Sequence, residues 1–355
     1  MVKAYTYSKR GKPANTLNHV EDYNPPSLQD DQVRIKVKAV GLNPVDWKIM
    51  AFAPTFIGKR PAVAASDYSG TILESKSENF KPGDEVYGIV YSSLKIATGL
   101  GSLAEEITAP AHSCAKRPEN IEPIQAAGIS LVGLTGLVLS QQADLAAKFS
   151  SSSSSAKIRV LVCGGASSVG LQLISILHHK GYYVAATYSE AKYDLVLGRG
   201  ADKTFDYKKP DMTKTLIEFA QKEGQFDVIL DCADAFDIWK IGEKVLVPNG
   251  SYTNVGMDLT QGIIPALRRL VSYFLLPTWL GGVGRAYKRP EEIATKENMI
   301  ELDELVRKGV VVPLIDSEYE FEKSLDAFAH LMSNRATGKV IIKLQNEYVH
   351  FPTSI

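Results

Sequence analysis

The amino-acid sequence predicts an α/β protein with a doubly wound parallel sheet and a second, β-rich domain. Three observations lead there. Residues 160–170, VLVCGGASSVG, join an apolar β-type run to a small-residue turn, and an amphipathic helical pattern follows. Strand-like and helix-like segments then alternate as far as residue 255, the pattern of a parallel sheet. Ahead of the turn, residues 1–123 read as β-rich, with strict apolar–polar alternation at Val33, Ile35, Val37 and Ala39.

Taken in order, Val160–Val162 is the first strand of the series. The turn Gly164-Gly165-Ala166-Ser167-Ser168-Val169-Gly170 is small enough for close backbone approach, and Leu173, Ile174 and Leu177 share one face of the helix it opens. Gly181 ends that helix. The run YYVAATYS, 182–189, is the second strand, and the helical stretch after it closes in LGRGAD, 197–202. Phe226–Asp231 and Ser251–Val255 read as later strands, the last entered through Asn249-Gly250. In the β-rich part, Pro82-Gly83-Asp84 turns into the strand Glu85-Val86-Tyr87-Gly88. Leu325, Phe328 and Leu331 mark an amphipathic helix, and Lys339–Leu344 a closing strand. A β domain made of both chain ends, 1–123 and 313–355, around an inserted unit, 124–312, is the economical arrangement.

Forty basic residues balance forty acidic ones over 355 positions, which argues against a nucleic-acid footprint. Cys114, Cys163 and Cys232 lie far apart, without metal-ligand spacing. The opening MVKAYTYSKRGK alternates like a strand and lacks a signal-peptide apolar core, and Pro352-Thr353-Ser354-Ile355 matches no retention or peroxisomal address. The expected location is the cytoplasm or the face of an organelle membrane, with no membrane span. Six serines, Ser150–Ser155, form a low-complexity loop.

The strand, turn and helix at 160–177 are those of a dinucleotide site. Gly165, Ala166, Ser167, Ser168 and Val169 would face the pyrophosphate, and the helix N-terminus offers N–H donors and partial positive charge. The spacing is G-x-x-x-x-x-G, with Ser167 where a middle glycine is usual; such a turn alone can be only a tight connection. An NAD site carries an acid about 20 residues further on. Here Ser189 holds that place and Lys192 follows. A hydroxyl and an ammonium suit a 2′-phosphate, so the expected cofactor is NADPH; Glu190 is the residue that argues the other way. Tyr188 and Lys192 form the Y-x-x-x-K pair of short-chain dehydrogenases, but the place of the pair and the mid-chain glycine turn exclude that family.

Several motifs occur together in order. GLNPVDWKI, 41–49, resembles a G-x-N-P-x-D signature, SDYSGTI, 66–72, a G-x-D-x-S-G-x-V block, and KPGDEVYG, 81–88, the turn and strand that follow. GADKTFDYKK, 200–209, matches G-A-D-x-x-x-[DN]-Y, and SNRATGKVII, 333–342, resembles a C-terminal closing motif. Through these the chain resembles the medium-chain dehydrogenase/reductase superfamily over nearly its whole length, in the zinc-free quinone oxidoreductase and enone reductase branch. NPVDWK, IDSEYEF and RATGKVII together resemble plant chloroplast-envelope quinone oxidoreductase homologues and fungal relatives. The resemblance implies a Rossmann domain and a GroES-like catalytic domain. Ser167 and the stretch Ala65-Ser66-Asp67 depart from the usual glycines.

Zinc-dependent relatives hold the metal with Cys and His at these turns. Here Asn43 stands in place of the first cysteine, Ser66-Asp67 in place of Gly-His-Glu, and the four-cysteine lobe is missing. His19, His112, His178, His179, His330 and His350 show no ligand pattern. No metal is expected.

The resemblance implies hydride transfer to the conjugated C=C of an enone or alkenal, or to a quinone, with charge developing on the carbonyl oxygen. It places Asn43 near the nicotinamide as donor or positioner. Asp46 would order the loop rather than transfer protons, and Lys48 could do either. Thr135, Tyr207, Cys232, Ala233, Val255, Gly256 and Lys339 are further cofactor contacts by position, each with an alternative reading as a loop or packing residue. Residues 263–284 are strongly apolar, with Arg268, Arg269, Arg285 and Lys288 around them. They read as pocket wall and dimer interface, or as a peripheral membrane contact. The partner is then a small apolar enone or quinone, with no nucleic acid, on a homodimer or a monomer. The alternative of a different kind is a catalytically idle NADPH-binding redox sensor or scaffold.

Overall fold

A computed structural model of the chain describes residues 1–149, 157–256, 262–280, 282–290 and 293–344. The serine run and the last four residues lie outside the described residues. The chain divides into two compact units: Met1–Leu131 with Ala294–Asp303 and Val312–Ile355, and Val132–Ile293 with Glu304–Val311. The sequence reading draws these limits at 123/124 and 312/313.

The first unit is built on a seven-stranded sheet. Its spatial order is Ile315–Glu320, Lys339–Lys343, Gln32–Leu42, Asp67–Ser75, Glu85–Ile89 and Cys114–Lys116, with Glu106–Pro110 also paired to Gln32–Leu42. Along Gln32–Leu42 the expected alternation holds: Val33, Ile35, Val37 and Ala39 are buried while Arg34, Lys36 and Lys38 are not. It ends at Val40–Leu42, buried throughout. Ala39 there packs with Ala127 and Ile341. A three-stranded sheet, Leu17–Tyr23, Val2–Tyr7 and Ala62–Val63, joins the same core.

Two local expectations change. GLNPVDWKI is not a loop: Pro44–Phe52 is a helix, opened by Asn43 with proline at its first position. In the helix Ser324–Met332, Phe328 and Leu331 are buried, but Leu325 is exposed and Ala327 takes the inward position. The wide apolar stripe of a short helix left that choice to the neighbouring sheet.

The second unit is a six-stranded sheet in the order Lys203–Asp206, Tyr183–Tyr188, Arg159–Cys163, Phe226–Asp231, Leu246–Asn254, Ala286–Lys288. Every pairing is parallel. Helices Ser168–His179 and Met212–Glu223 follow the first and third of these strands in chain order. This is a doubly wound, Rossmann-type sheet. Gly181, at φ +79°, closes the first helix as expected. The strand expected at Ser251–Val255 starts earlier, at Leu246, and runs through Asn249-Gly250 with a register shift against its neighbour. Among the described residues no helix is long and apolar enough to cross a membrane.

Candidate active site and cofactor cradle

In the second unit, the strand Arg159–Cys163 delivers its carboxyl end into the glycine turn. Gly164 adopts φ +73°, a left-handed conformation that glycine takes without penalty. Its N–H donates to Thr187 Oγ1 at 2.9 Å, and the Gly165 N–H donates to the Thr187 carbonyl at 2.8 Å. The turn is therefore fastened to the end of the neighbouring strand. A Cβ on Gly170 would run into the Gly164 carbonyl and reach within 2.9 Å of Gly165 Cα. Helix and turn touch backbone to backbone.

Ser167 explains the missing middle glycine. It caps the helix, and its hydroxyl accepts from the Gly170 N–H at 3.0 Å. The first-turn N–H groups of Ser168 and Val169 have no carbonyl earlier in the helix to bond, and these are the donors the turn can offer to a phosphate.

The other candidates of this unit gather at the same carboxyl edge. A Cβ on Gly164 would lie 2.8 Å from Ala233 Cβ, and one on Gly256 would lie 2.5 Å from Asp234 N. The Cys232 N–H donates to the Cys163 carbonyl and the Val255 N–H to the Asp231 carbonyl, each at 3.0 Å. Ser189 is buried, ahead of the short turn Glu190–Lys192 in which Lys192 is part-buried. Tyr207 is exposed, with its N–H on the Tyr188 carbonyl at 3.0 Å. Ser189, Lys192 and Tyr207 thus follow the ends of two adjacent strands. Thr135 is buried on the helix Ser130–Phe149, which packs closely on Ser168–His179 through Gly136.

Asp231 is a residue the sequence did not single out. It ends the central strand, buried, and accepts from Ala233 N (2.8 Å), Ala235 N (2.7 Å), Tyr252 OH (2.6 Å) and Asn254 Nδ2 (3.3 Å). Burial pushes its carboxyl up to about 6, against those hydrogen bonds. Next to it Asp234, at φ +61°, accepts from Tyr273 OH at 2.7 Å and pairs with Arg269 at 3.2 Å. The loop 232–235, whose Ala233 touches the glycine turn, is fixed from both sides.

The first unit holds a different cluster. Sheet register assembles it: Gly41 pairs with Asp67 on one side and Leu42 with Val340 on the other. Lys339 Nζ donates to Asn43 Oδ1 at 2.5 Å and to Asp67 Oδ2 at 3.0 Å, and Asn43 Nδ2 donates to the same Asp67 oxygen at 3.0 Å. Asp67 Oδ1 accepts from Leu131 N–H at 3.0 Å. Burial pushes the Asp67 carboxyl up, and Lys339 and the Asn43 amide pull it back. A Cβ on Gly41 would meet the Ala127 carbonyl and lie 3.3 Å from the Lys339 stem, so glycine makes the room for this lysine.

A second ion pair adjoins it. Asp46 Oδ2 accepts from Asn43 N–H at 2.8 Å, the return half of a capping box. Its Oδ1 takes Ser66 Oγ at 2.6 Å and Lys95 Nζ at 2.8 Å. Lys95 and Lys339 are only 1 % and 2 % exposed. Lys48 is part-buried two residues past Asp46 on the same helix. Ala65, where the family block begins with glycine, sits at φ +60°.

This geometry revises one expectation and bears on two that were open. Asp46 orders a helix start, not a loop. Asn43 has both ends of its amide engaged within the unit, its Nδ2 also lying 3.4 Å from the Gly41 carbonyl; that favours positioning over donation to a substrate. Lys339 belongs with Asn43 and Asp67, its ammonium already held by both. Among the described residues no group of three His, Cys, Asp or Glu is arranged to hold a metal.

Comparison with known proteins agrees with both halves of the molecule. Residues 29–119 match the alcohol dehydrogenase GroES-like domain and residues 199–342 the zinc-binding dehydrogenase family. A chloroplast envelope quinone oxidoreductase homolog of Arabidopsis thaliana is 28 % identical over 97 % of this chain and 98 % of its own. A 2-methylene-furan-3-one reductase of Solanum lycopersicum is 30 % identical over 96 % of this chain and 79 % of its own. Among solved structures, a mycobacterial protein complexed with NADPH superposes with a TM-score of 0.72 at 23 % identity, over 97 % of this chain and 100 % of that one.

Proposed function

We propose, for a chain that belongs to the medium-chain dehydrogenase/reductase superfamily and to its zinc-free quinone oxidoreductase and enone reductase branch, an NADPH-dependent reduction of the conjugated C=C of an enone or alkenal, or of a quinone. The observation that carries the reading is the turn 164–170: a Cβ on Gly164 or Gly165 would crowd Ala233 or Ala186 and one on Gly170 would strike backbone, and the turn leads into a serine-capped helix. Such a surface suits a pyrophosphate, which needs close backbone approach and N–H donors.

The residues divide the work. Gly165, Ala166, Ser167, Ser168 and Val169 hold the pyrophosphate through backbone N–H groups. Ser189, Lys192 and Tyr207 bind the adenosine ribose, with the Lys192 ammonium on a 2′-phosphate. Ala233, Val255 and Gly256 keep the carboxyl edge of the sheet narrow, beside Cys232, and Thr135 contributes from its helix. When bound, the reduced nicotinamide supplies hydride. Asn43, Asp46, Asp67, Lys95 and Lys339 hold the start of the helix Pro44–Phe52 rigid, so that the substrate-facing wall is preorganised. Lys48, part-buried on that helix, would steady developing charge on a carbonyl oxygen or help position the helix. The relatives' names, a quinone oxidoreductase homolog and a furanone reductase, support this substrate class.

The test is a steady-state assay of NADPH and NADH oxidation against a panel of quinones and alkenals, before and after exhaustive chelation. Turnover with NADPH that survives chelation is expected. Tight NADPH binding without turnover on any member would instead assign the idle, scaffold-type alternative.

A further inference from the structure

The helix Ile263–Phe274 is amphipathic in an unusual sense. One face, with Ala266 and Tyr273 buried, packs into the core of the second unit. It is anchored there by Tyr273 and Arg269 on Asp234. The opposite face is also apolar. Ile264, Leu267, Val271, Phe274 and Leu275 fall on one side at helical spacing, and all are exposed, Leu275 by 74 %. Just beyond Pro277, Trp279 is 81 % exposed. Contiguous exposed apolar side chains of this size mark an interaction surface.

Charge selects the occupant. Residues 262–290 contain Arg268, Arg269, Arg285, Lys288 and Arg289 and no Asp or Glu. Among the described residues, Asp234 is engaged by Arg269 and Tyr273 of this segment, and Glu243 accepts from the Gly284 N–H at 2.6 Å. Arg268 is exposed at the rim of the apolar face, and Arg289 is exposed as well. A two-fold contact with a second copy would set this positive rim against itself. An anionic bilayer surface satisfies both parts: the leucines, Phe274 and Trp279 enter the acyl boundary while Arg268 extends to the headgroups.

We propose that Ile263–Phe274 and the loop carrying Trp279 dock the protein on an anionic lipid surface, with the helix in the plane of the interface. Membrane-dissolved quinones or lipid-derived enones would then be met where they partition. The docking itself does not depend on the catalytic reading.

The experiment is co-sedimentation of the full chain with phosphatidylcholine vesicles and with phosphatidylcholine–phosphatidylglycerol vesicles, at low and high salt. Binding is expected on the anionic vesicles only, weakened by salt. Tryptophan emission should shift to the blue on binding and should not do so in Trp279→Ser, since Trp239 is already buried and Trp47 partly so. Leu275→Ser with Trp279→Ser should weaken partitioning by about tenfold or more, and Arg268→Glu should also weaken it. Melting temperature should stay unchanged, because these side chains are exposed. No association with anionic vesicles, or equal association by the double variant, would overturn the proposal. So would a dimer in solution that Leu275→Ser dissociates, which would give the surface to a second copy.

Discussion

The Lys339 ammonium lies 3.0 Å from a carboxylate oxygen of Asp67, a buried ion pair between residues 272 positions apart. The pair closes the seven-stranded sheet around Asn43. Breaking a buried pair from one side leaves an uncompensated charge, whereas replacing both partners with apolar groups costs less. Lys339→Met is expected to lower stability by about 3–5 kcal/mol, and adding Asp67→Leu to recover part of the loss. Urea unfolding midpoints of the single and double variants measure this. A single variant as stable as the parent would show that the pair is not what holds the sheet.

Asn43 separates positioning from direct catalysis. Its amide joins Lys339 to Asp67, so Asn43→Ala leaves both short of a partner. A loss of about 1–3 kcal/mol in stability is expected, with kcat per folded molecule reduced only modestly. A direct donor to the developing oxyanion predicts a fall of about 10²–10³ in kcat at unchanged melting temperature. Thermal melts beside steady-state kinetics decide between the two.

Lys192 sets cofactor choice in the proposed site. Lys192→Ala should cost about 1.5–3 kcal/mol of NADPH binding, the scale of a charged hydrogen bond, and leave NADH binding nearly unchanged. Titrations of both cofactors measure the difference. Equal losses would remove the 2′-phosphate from this lysine.

Gly170 tests the cradle. Gly170→Ala forces a Cβ against the backbone of Gly164 and Gly165, and NADPH affinity should fall by about tenfold or more as the turn is displaced. Gly198→Ala is the control, since a Cβ there meets nothing within 4 Å. If the two variants bind the cofactor equally, the close approach is not part of the binding site.

Asp231 gives a pH dependence with a definite sign. Its carboxyl, pushed up to about 6 by burial, keeps a proton in the folded chain that the unfolded chain releases near its ordinary value of 3.8. Between those values the folded state binds more protons, so this group's contribution to stability is full below the window and falls as pH rises through it. Asp231→Asn loses one acceptor for the donors of Ala233, Ala235 and Tyr252, at a cost of about 1–3 kcal/mol. The stability gap between parent and variant should then widen as pH drops from about 6 to about 4. Unfolding free energies across that range measure it, and a gap that narrows in acid would contradict the assignment.

Legibility in the sequence followed locality. The turn 164–170, the strands at 182–189 and 226–231 and the alternation at Val33–Ala39 were readable because each is written in consecutive residues. The candidates Ser189, Ala233 and Gly256 came from their places at strand ends and Tyr207 from the motif at 200–209, and the sheet does gather them at one edge. Lys95 and Asp231 left no such mark. A lysine in SSLKIAT and an aspartate closing VILD look like ordinary surface and strand-end residues until burial and partners are known. Leu325 failed for the complementary reason, since a short helix pattern does not say which neighbour will cover which side.

The sequence by itself determined the alternation of strands and helices, the glycine turn and the absence of cysteine and histidine where relatives bind zinc, because these are properties of residue type and spacing. Only the tertiary structure decided that Asn43 is held between Lys339 and Asp67, that Asp46 is paired with Lys95, and that the apolar segment at 263–284 turns one face outward. Pairing across hundreds of positions is fixed by sheet register, and burial by what packs on top; neither is encoded in any local stretch of chain.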